Sequence, residues 1–381
     1  MKNVVHIWEL ERVYIKLNLD FLDEINRMIK KKFGSKSKFY EQIIKNNELS
    51  FSTFKNILKK SNMKNFFVPL SIYLKIVINL GVTREILERN IVAYKTGRGS
   101  NYVDNPILPI KITPIFDMVL AHNIGDGTVI NSKNGRLPYF GYRQFNEYYR
   151  KLYIKKIESL FGKIKFKEDY FHRSTRSYCP SVLSSLFFNY YNLGVNSFLS
   201  KSARLPEELF RKNREHLLAI LIAFVIDEGH IDSSMIVIVL KNKLLINDLK
   251  NICDLLGYNS KITYRSGEYE DYGYLNILRD GMIKFYHDSL LLRKKYFVVD
   301  LGVKGKKIED SIKIYSRKLY KTKGNRDIIL SILKNEQLSV NQLANRVNMT
   351  RQGARFHIHK LLKENMIKIV DKNDPNWIYG V

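Results

Sequence analysis

The chain has 381 residues, 45% of them hydrophobic, which is enough for packed cores and, by length, for two or three domains. Its formal charge of +27 and pI near 9.8 favour a polyanionic partner, most commonly nucleic acid, with a membrane surface as the alternative. The longest wholly apolar run, 217–226, is too short to cross a bilayer, and residues 1–6 lack the apolar core of a signal peptide. The two cysteines exclude a zinc module of cysteine pairs and a disulfide framework. We therefore expect an intracellular, cytoplasmic and nucleoid-associated protein without a membrane segment.

Residues 1–100 are expected to form an all-α domain. A short helix, a turn at 46–50 and a basic helix with Lys55 and Lys59 form a helix-turn-helix pattern, which resembles the Xre/Cro repressor type. Any small helical bundle gives a similar pattern, so that alternative stays open. Residues 95–106, rich in Gly, Ser and Asn, are expected to be a linker. The predicted helices are 21–32, 38–45, 52–60, 71–80 and 83–94.

An apolar helical run that ends in an acid and a glycine occurs twice. The first copy spans 119–127 (VLAHNIGDG) and the second 221–229 (LIAFVIDEG), with Asp126 and Glu228 as the acids. Glycine is favoured just past a helix end, so each acid lies where its helix stops. If the two helices pack side by side, the two carboxylates meet beside free helix-end carbonyls. Such a group suits a hard divalent cation such as Mg²⁺.

These residues resemble the LAGLIDADG homing endonucleases in the single-chain form with two motif copies, over residues 105–318. After each acid and glycine come a hairpin, a helix ending in LFG (160–162) or LLG (255–257), and more strand. The resemblance implies an α+β fold in which an αββαββα unit is repeated, at about 110–200 and 206–318. It also implies two sheets that form a saddle over double-stranded DNA and acids that bind metal at the centre. One chain with both copies is then expected to act as a monomer on DNA.

The second motif copy departs from the family pattern. The family places small residues at the third and seventh positions, where the two helix backbones approach each other. The first copy has Ala121 and Gly125, but the second carries Asp227 at the seventh position. His122 and Asn123 also place polar groups where apolar residues are usual. These residues predict less tight packing near the metal.

The resemblance implies that Asp126 and Glu228 ligate Mg²⁺, helped by the helix ends at Gly125 and Asp227. A ligated carboxylate is stabilised in its charged form, so neither acid is expected to act as a general base. Supporting polar residues follow the second strand of each repeat. Gln144 is the candidate for orienting water and Lys241 for offsetting phosphate charge. Because the internal alignment is ambiguous by one or two residues, both could equally be ordinary strand-end residues.

Basic residues of the core are candidates for guanine or phosphate contacts in the DNA saddle. The first hairpin and the following strands supply some of them, and the basic stretch 201–206 and the second repeat supply the others. The candidates are Arg136, Arg143, Arg173, Arg176, Lys201, Arg204 and Arg265.

Residues 324–381 resemble a winged helix-turn-helix domain. Helix 327–334, a second helix capped by Ser339, a third helix opened by Thr350, and a hairpin follow one another. The buried face of the third helix leaves Arg351, Gln352 and Arg355 outside, near the helix start that usually reaches base edges. A helical dimerisation domain is the alternative.

Three functions remain open from the sequence. The first is a site-specific DNA endonuclease. It is expected to be free-standing and not part of an intein, because the residues for self-splicing are missing. The second is a non-catalytic DNA-binding regulator, which the flanking helix-turn-helix patterns favour and the two retained acids disfavour. The third is an RNA maturase, against which a DNA-type winged helix counts.

Overall fold

The structure is a computed structural model that describes residues 2–44, 49–59, 66–97, 101–130, 137–165, 176–199, 201–232, 234–264, 272–316, 324–372 and 377–381. The chain forms two compact units, residues 1–305 and residues 306–381. Both combine helices with small antiparallel sheets, so the predicted α+β class is confirmed. The finer division into three domains stays a prediction. No helix among the described residues is long and apolar enough to span a membrane.

The first hundred residues contain strands as well as helices. Most of the predicted helices are present, although their ends differ by a few residues, and a π-helical turn at Tyr40–Ile44 follows the second one. The elements up to the first motif are β1 (Val4–Val5), β2 (Val13–Leu17), α1 (Leu19–Phe33), α2 (Lys36–Phe39), α3 (Phe51–Ile57), β3 (Val68–Pro69), α4 (Leu70–Leu80), α5 (Arg84–Arg89), β4 (Ile91–Thr96), β5 (Tyr102–Asp104) and β6 (Ile110–Lys111).

Two αββαββα repeats follow, as the family resemblance implied. The first is α6 (Pro114–Gly125), β7 (Gly127–Ile130), β8 (Tyr139–Arg143), α7 (Glu147–Phe161), β9 (Lys163–Lys165), β10 (Arg176–Tyr178) and α8 (Ser181–Tyr190). The second is α9 (Arg214–Asp227), β11 (Gly229–Asp232), β12 (Met235–Leu240), α10 (Lys243–Leu255), β13 (Ser260–Tyr264), β14 (Gly273–Ile277) and α11 (Arg279–Lys295). Helix α12 (Val303–Ser316) comes next.

The sheets of the two repeats differ. Within the described residues, the second repeat has a four-stranded sheet in the order β11-β12-β14-β13, whereas the first has a three-stranded sheet in the order β10-β8-β7. Strand β9 pairs instead with β5, with Val103 opposite Ile164, and so completes a five-stranded sheet in the order β3-β2-β4-β5-β9. The first repeat therefore gives one of its strands to the sheet of the preceding segment.

This shared sheet corrects the expectation of an all-α domain followed by a linker. Val13, Ile15 and Leu17 are buried and alternate with less buried residues, which is the two-residue period of a strand. Residues 91–94 were predicted to be part of a helix, but the helix ends at Arg89 and Ile91 begins β4. Strands β4 and β5 then occupy residues 95–96 and 102–104 of the predicted linker, and the two strands pair with each other within the shared sheet.

The second unit is a winged helix. Its elements are α13 (Asn325–Asn335), β15 (Leu338–Ser339), α14 (Val340–Arg346), α15 (Arg351–Lys363), β16 (Lys368–Asp371) and β17 (Ile378–Gly380), with the sheet order β15-β17-β16. Ser339 caps α14 in a capping box with Gln342, and the Thr350 hydroxyl accepts a hydrogen bond from the Gly353 amide. The predicted caps and the order of elements are confirmed. The core consists of Ile329, Leu333, Leu343, Ile358, Leu361, Ile367 and Tyr379.

Candidate active site

Helices α6 and α9 pack against each other and are buried on all sides. Residues 115–124 and 217–226 are almost wholly inaccessible, as expected of helices that are apolar all round. Asp126 and Glu228 follow directly as the C-terminal caps, where their amides bond to the carbonyls of His122 at 3.1 Å and Phe224 at 2.9 Å. The packing of the helices therefore brings both acids to one end of the pair.

The glycine after each acid is required by close backbone approach. A Cβ at Gly127 would lie 2.1 Å from the Asn123 carbonyl oxygen, and one at Gly229 would lie 2.4 Å from that of Val225. Any side chain there would push the following strand away from the helix end. The repeated acid-glycine pair therefore fixes each carboxylate at the point where its helix turns into a strand.

The two carboxylates lie in a partly buried and negatively charged place. Burial, followed by the charge of Asp227, raises the pKa of Asp126 to about 7. Burial, followed by the charges of Asp126 and Asp227, raises the pKa of Glu228 to about 7. Asp227 thus acts on both acids and Asp126 acts on Glu228, so charging all three carboxylates together costs free energy unless a cation is near. The site is built to receive positive charge.

Gln144 lies next to Asp126. Its side-chain amide donates a hydrogen bond to Oδ2 of Asp126, and the Arg143 amide donates to the Asp126 carbonyl at 3.0 Å. The Arg150 guanidinium holds the turn that carries Gln144 by donating to the carbonyls of Gln144 and Phe145. The end of β8 is therefore fixed relative to the first acid.

Lys241, the corresponding candidate in the second repeat, does not contact either acid within the described residues. Its side chain is exposed, and its ammonium lies 5.2 Å from the centroid of the Tyr272 ring. Among the described residues, no hydrogen bond or ion pair joins it to Asp126 or Glu228. The structure thus brings Gln144 to an acid but places Lys241 against an aromatic ring.

Asp227 points into the protein. Its side chain is fully buried and accepts hydrogen bonds from the Tyr142 hydroxyl at 2.7 Å and from Nδ1 of His122 at 2.9 Å. The other His122 nitrogen, Nε2, lies 2.8 Å from the ammonium of the buried Lys156. Gly125 makes the room on α6, because a Cβ there would come within 3.2 Å of Asp227 Oδ2.

This buried network explains the departures of the second motif copy. The larger seventh motif residue of α9, Asp227, is matched by the seventh residue of α6, Gly125. The polar side chain of His122 on α6 bonds to Asp227 across the helix pair. The expected loss of close packing is therefore wrong, since α6 and α9 remain in contact. Burial lowers the pKa of His122 and of Lys156 and raises that of Asp227, and the opposite charges of Lys156 and Asp227 partly offset its effect on these two groups.

Two lysines that act on the acidic residues of this region, Lys156 on Asp227 and Lys304 on Asp126, Asp227 and Glu228, were not predicted from the sequence. Lys156 lies on α7 among buried Tyr149, Tyr153 and Ile157, at a spacing that marks the buried helix face, so its burial could have been inferred. Lys304 donates to the carbonyls at the end of α9, and its charge lowers the pKa of Asp126, Asp227 and Glu228. No local pattern marks it, because it comes from beyond the second repeat.

The predicted DNA-contacting residues of the first unit have mixed surroundings. Arg143 and Arg176 are directly opposite each other on the paired strands β8 and β10. Arg204 forms a bidentate ion pair with Asp248, at 2.7 Å for both contacts. Lys55, Lys59 and Lys201 are exposed. Arg136, Arg173 and Arg265 lie outside the described residues.

In the winged helix, all three predicted contact residues are exposed. Arg351, Gln352 and Arg355 lie on the first turns of α15, whose other face is closed by Ala354, Ile358 and Leu361. This is the arrangement that the helical period predicted.

Parts of the chain are similar to known proteins. The family described as winged helix-turn-helix DNA-binding matches residues 325–368. Solved structures of the homing endonuclease I-DmoI are similar to the chain: its mesophilic variants at 22% identity and a TM-score of 0.34, over 46% of this chain and 88% of theirs. The I-DmoI complex with DNA and Mn is similar at 19% identity and a TM-score of 0.31, over 46% of this chain and 94% of that one. The complex with DNA and Ca is similar at 20% identity and a TM-score of 0.33, over 52% of this chain and 97% of that one. No curated protein matches the sequence significantly.

Proposed function

We propose that the protein is a site-specific DNA endonuclease that hydrolyses both strands of a long, asymmetric target with the help of a divalent cation. The observation that carries the proposal is the meeting of Asp126 and Glu228 at the ends of two packed helices, each fixed by a glycine that tolerates no side chain. Burial and the neighbouring carboxylates raise the pKa of both acids to about 7, even though the charge of Lys304 acts in the opposite direction.

The donor set fits Mg²⁺. Among the described residues, no group of three or more His, Cys, Asp or Glu side chains could hold a metal by itself. Mg²⁺ does not require such a cage, because it is usually bound by one or two carboxylates together with substrate phosphates and waters. Asp126 and Glu228 would supply the two carboxylates. Asp227 would act through its charge, since Tyr142 and His122 occupy its oxygens.

The metal ion would lower the pKa of a bound water and neutralise charge on the leaving oxygen. The residues of the chain then have distinct roles around the scissile phosphate. Gln144 holds Oδ2 of Asp126 and orients the carboxylate toward the centre. Lys241, exposed at the end of β12, would contact the DNA backbone and not the acids.

The proposed partner is double-stranded DNA, bound by one chain. The net charge of +27 favours a polyanion, and Arg143 opposite Arg176 places like charges side by side on the sheet. Like charges directly opposite destabilise a strand pair, so an anion bound between them would be stabilising. The two repeats in one chain supply the two half-sites, and α15 of the winged helix would add a further contact in the major groove.

A DNA-binding regulator without nuclease activity is the second candidate. The match of residues 325–368 to a winged helix-turn-helix DNA-binding family favours it, because such domains serve regulation as well. Both candidates bind DNA, and they differ only in what happens at the acids.

A cleavage experiment separates the two candidates. Purified protein is incubated with a fragmented genomic library and Mg²⁺, with EDTA as the control, and the DNA ends are sequenced. We expect discrete double-strand ends that require Mg²⁺. Protected footprints without new ends would identify a regulator and overturn the endonuclease.

Metal affinity is expected to depend on pH. Because the pKa of Asp126 and of Glu228 is raised to about 7, both acids carry protons below that pH, and a divalent cation must displace them. Mn²⁺ affinity, measured by calorimetry without DNA, should rise between pH 5.5 and about 7.5 and level off above. A flat profile over this range would show that these acids do not ligate the ion.

The winged helix should contribute to DNA affinity through α15. Replacing Arg351 and Arg355 together by alanine should weaken binding, and the salt slope should fall by about one unit for each arginine that contacts a phosphate. Loss of an arginine that contacts a base edge should instead reduce discrimination at one target position by roughly 1–3 kcal/mol. The control is Lys334→Ala, which removes an exposed charge from α13. Equal affinity of the double variant and the control would exclude α15 from the interface.

A further inference from the structure

After the second repeat has ended, the chain returns to the acid centre, which is the site formed by Asp126 and Glu228. The segment between α11 and α12 is attached to α7 of the first repeat, where the Tyr148 hydroxyl donates to Oδ2 of Asp300 at 2.8 Å and the Tyr149 hydroxyl to the Leu301 carbonyl at 3.2 Å. Oδ1 of Asp300 accepts from the Gly302 amide at 2.8 Å, and Arg293 lies 3.0 Å from the same carboxylate. The start of α12 is therefore held in one place.

Gly302 makes this attachment possible. Its φ is +54°, in the left-handed region, and a Cβ would lie 2.9 Å from the Tyr148 ring and 3.1 Å from the Tyr149 ring. Only glycine satisfies both the backbone angle and the space. The close approach sets the position from which α12 begins, and Lys304 lies in its first turn.

Lys304 reaches from this turn to the end of α9. Its half-buried side chain donates hydrogen bonds to the carbonyls of Val225 at 2.9 Å and Ile226 at 2.5 Å. These are among the last carbonyls of α9, which have no partner within the helix. Its charge also acts on Asp126 and on Glu228, and it is the one cation that does so for Glu228 among the described residues. An ammonium therefore stands where helix-end oxygens and carboxylates come together.

We propose that Lys304 is a tethered cation of the acid centre, which occupies the helix-end oxygens of α9 and so limits the binding of divalent metal ions on that side. The inference rests on the proposed function, because it concerns the same two acids. The ammonium repels a divalent cation, and it already holds the carbonyl oxygens of Val225 and Ile226, which a second ion on this side would need. Lys304 thus offsets the repulsion between the two carboxylates before a metal ion binds, and it prevents a second ion from binding at the end of α9. Its role is that of a positioning residue that partly neutralises the acids.

Mn²⁺ binding to the full chain without DNA tests this inference. The affinity and the number of ions bound are measured by equilibrium dialysis for Lys304→Met, with Lys304→Arg as the conservative variant and Lys306→Met as the matched control, whose side chain is exposed on the same helix. We expect Lys304→Met to bind Mn²⁺ about tenfold more tightly, or to bind one more ion, because a repelling charge and two competing donors are gone. Lys304→Arg and Lys306→Met should match the unaltered chain.

A second variant separates the charge from the anchoring bonds. Lys304→Gln keeps a donor for the α9 carbonyls but has no charge, so it should also bind Mn²⁺ more tightly even if Lys304→Met fails to fold. Target cleavage by the same variant should become slower while metal binding becomes tighter, a combination that simple loss of structure does not give.

The outcomes distinguish this inference from the proposed function. If the unaltered chain binds Mn²⁺ and Lys304→Gln binds it with equal affinity and number, the role of Lys304 is overturned and the metal centre stands. If neither protein binds Mn²⁺, with or without DNA, the proposed metal centre itself is overturned, and the inference fails with it.

Discussion

Cleavage is expected to fall by about a thousandfold or more when Asp126 is replaced by asparagine or Glu228 by glutamine. Each substitution keeps the shape of the side chain and removes the charge that would hold the divalent cation. The ion supplies several kcal/mol of transition-state stabilisation, and each 1.4 kcal/mol corresponds to a factor of ten in rate. The measurement is single-turnover cleavage of a target recovered from the genomic library.

DNA binding should survive in the same variants. Phosphate contacts by lysine and arginine dominate affinity, and a carboxylate without metal repels DNA. The control is Asp232→Asn, which removes one exposed negative charge from β11, the strand that begins directly after Glu228. It should leave the cleavage rate nearly unchanged. Full activity in Asp126→Asn or Glu228→Gln would reject the assignment of these acids.

The second large effect concerns the buried network under the acids. Lys156→Met should lower the free energy of unfolding by about 3–5 kcal/mol, because it removes one of the two lysine charges that act on the fully buried Asp227 side chain and leaves Nε2 of His122 without its partner. The control is Lys155→Met, an exposed neighbour on α7, which should change stability by no more than about 0.5 kcal/mol. Both are measured by urea denaturation monitored by circular dichroism.

A double substitution tests whether the loss is electrostatic. Asp227→Asn removes the buried charge but keeps an oxygen that can accept from the Tyr142 hydroxyl. Combined with Lys156→Met, it should recover about 1 kcal/mol or more of the loss, because neighbouring changes within one network are not additive. If the double variant is less stable than the sum of the single effects predicts, Lys156 contributes packing and not charge.

Patterns confined to one segment predicted much of the fold. Ser339 and Thr350 were identified as caps because a hydroxyl before an apolar helical stripe satisfies free amides at the helix start. The two acid-glycine motifs predicted where α6 and α9 end, because the glycines allow the strand to leave the helix without a clash. Gln144, which the family resemblance made a candidate for orienting water, lies beside Asp126 at the end of β8.

The parts that sequence reasoning missed depend on contacts between distant segments. The pairing of β9 with β5 joins residues about 60 positions apart, and no local period encodes such a partner choice. The strand Val13–Leu17 is short, so its alternation was overlooked beside longer helical runs. Lys304 reaches the end of α9 only because Gly302 and Asp300 attach the chain to α7, and no motif marks this attachment. His122 stood out as polar, but its partners on α9 and α7 required the fold.

Anomalous diffraction from crystals of the protein grown with Mn²⁺ above pH 7.5 tests the central claim most directly. The account predicts an anomalous peak at the common end of α6 and α9, within bonding distance of carboxylate oxygens of both Asp126 and Glu228, and its loss in Asp126→Asn. Mn²⁺ bound elsewhere on the chain, with these two carboxylates contacting only protein groups, would contradict it.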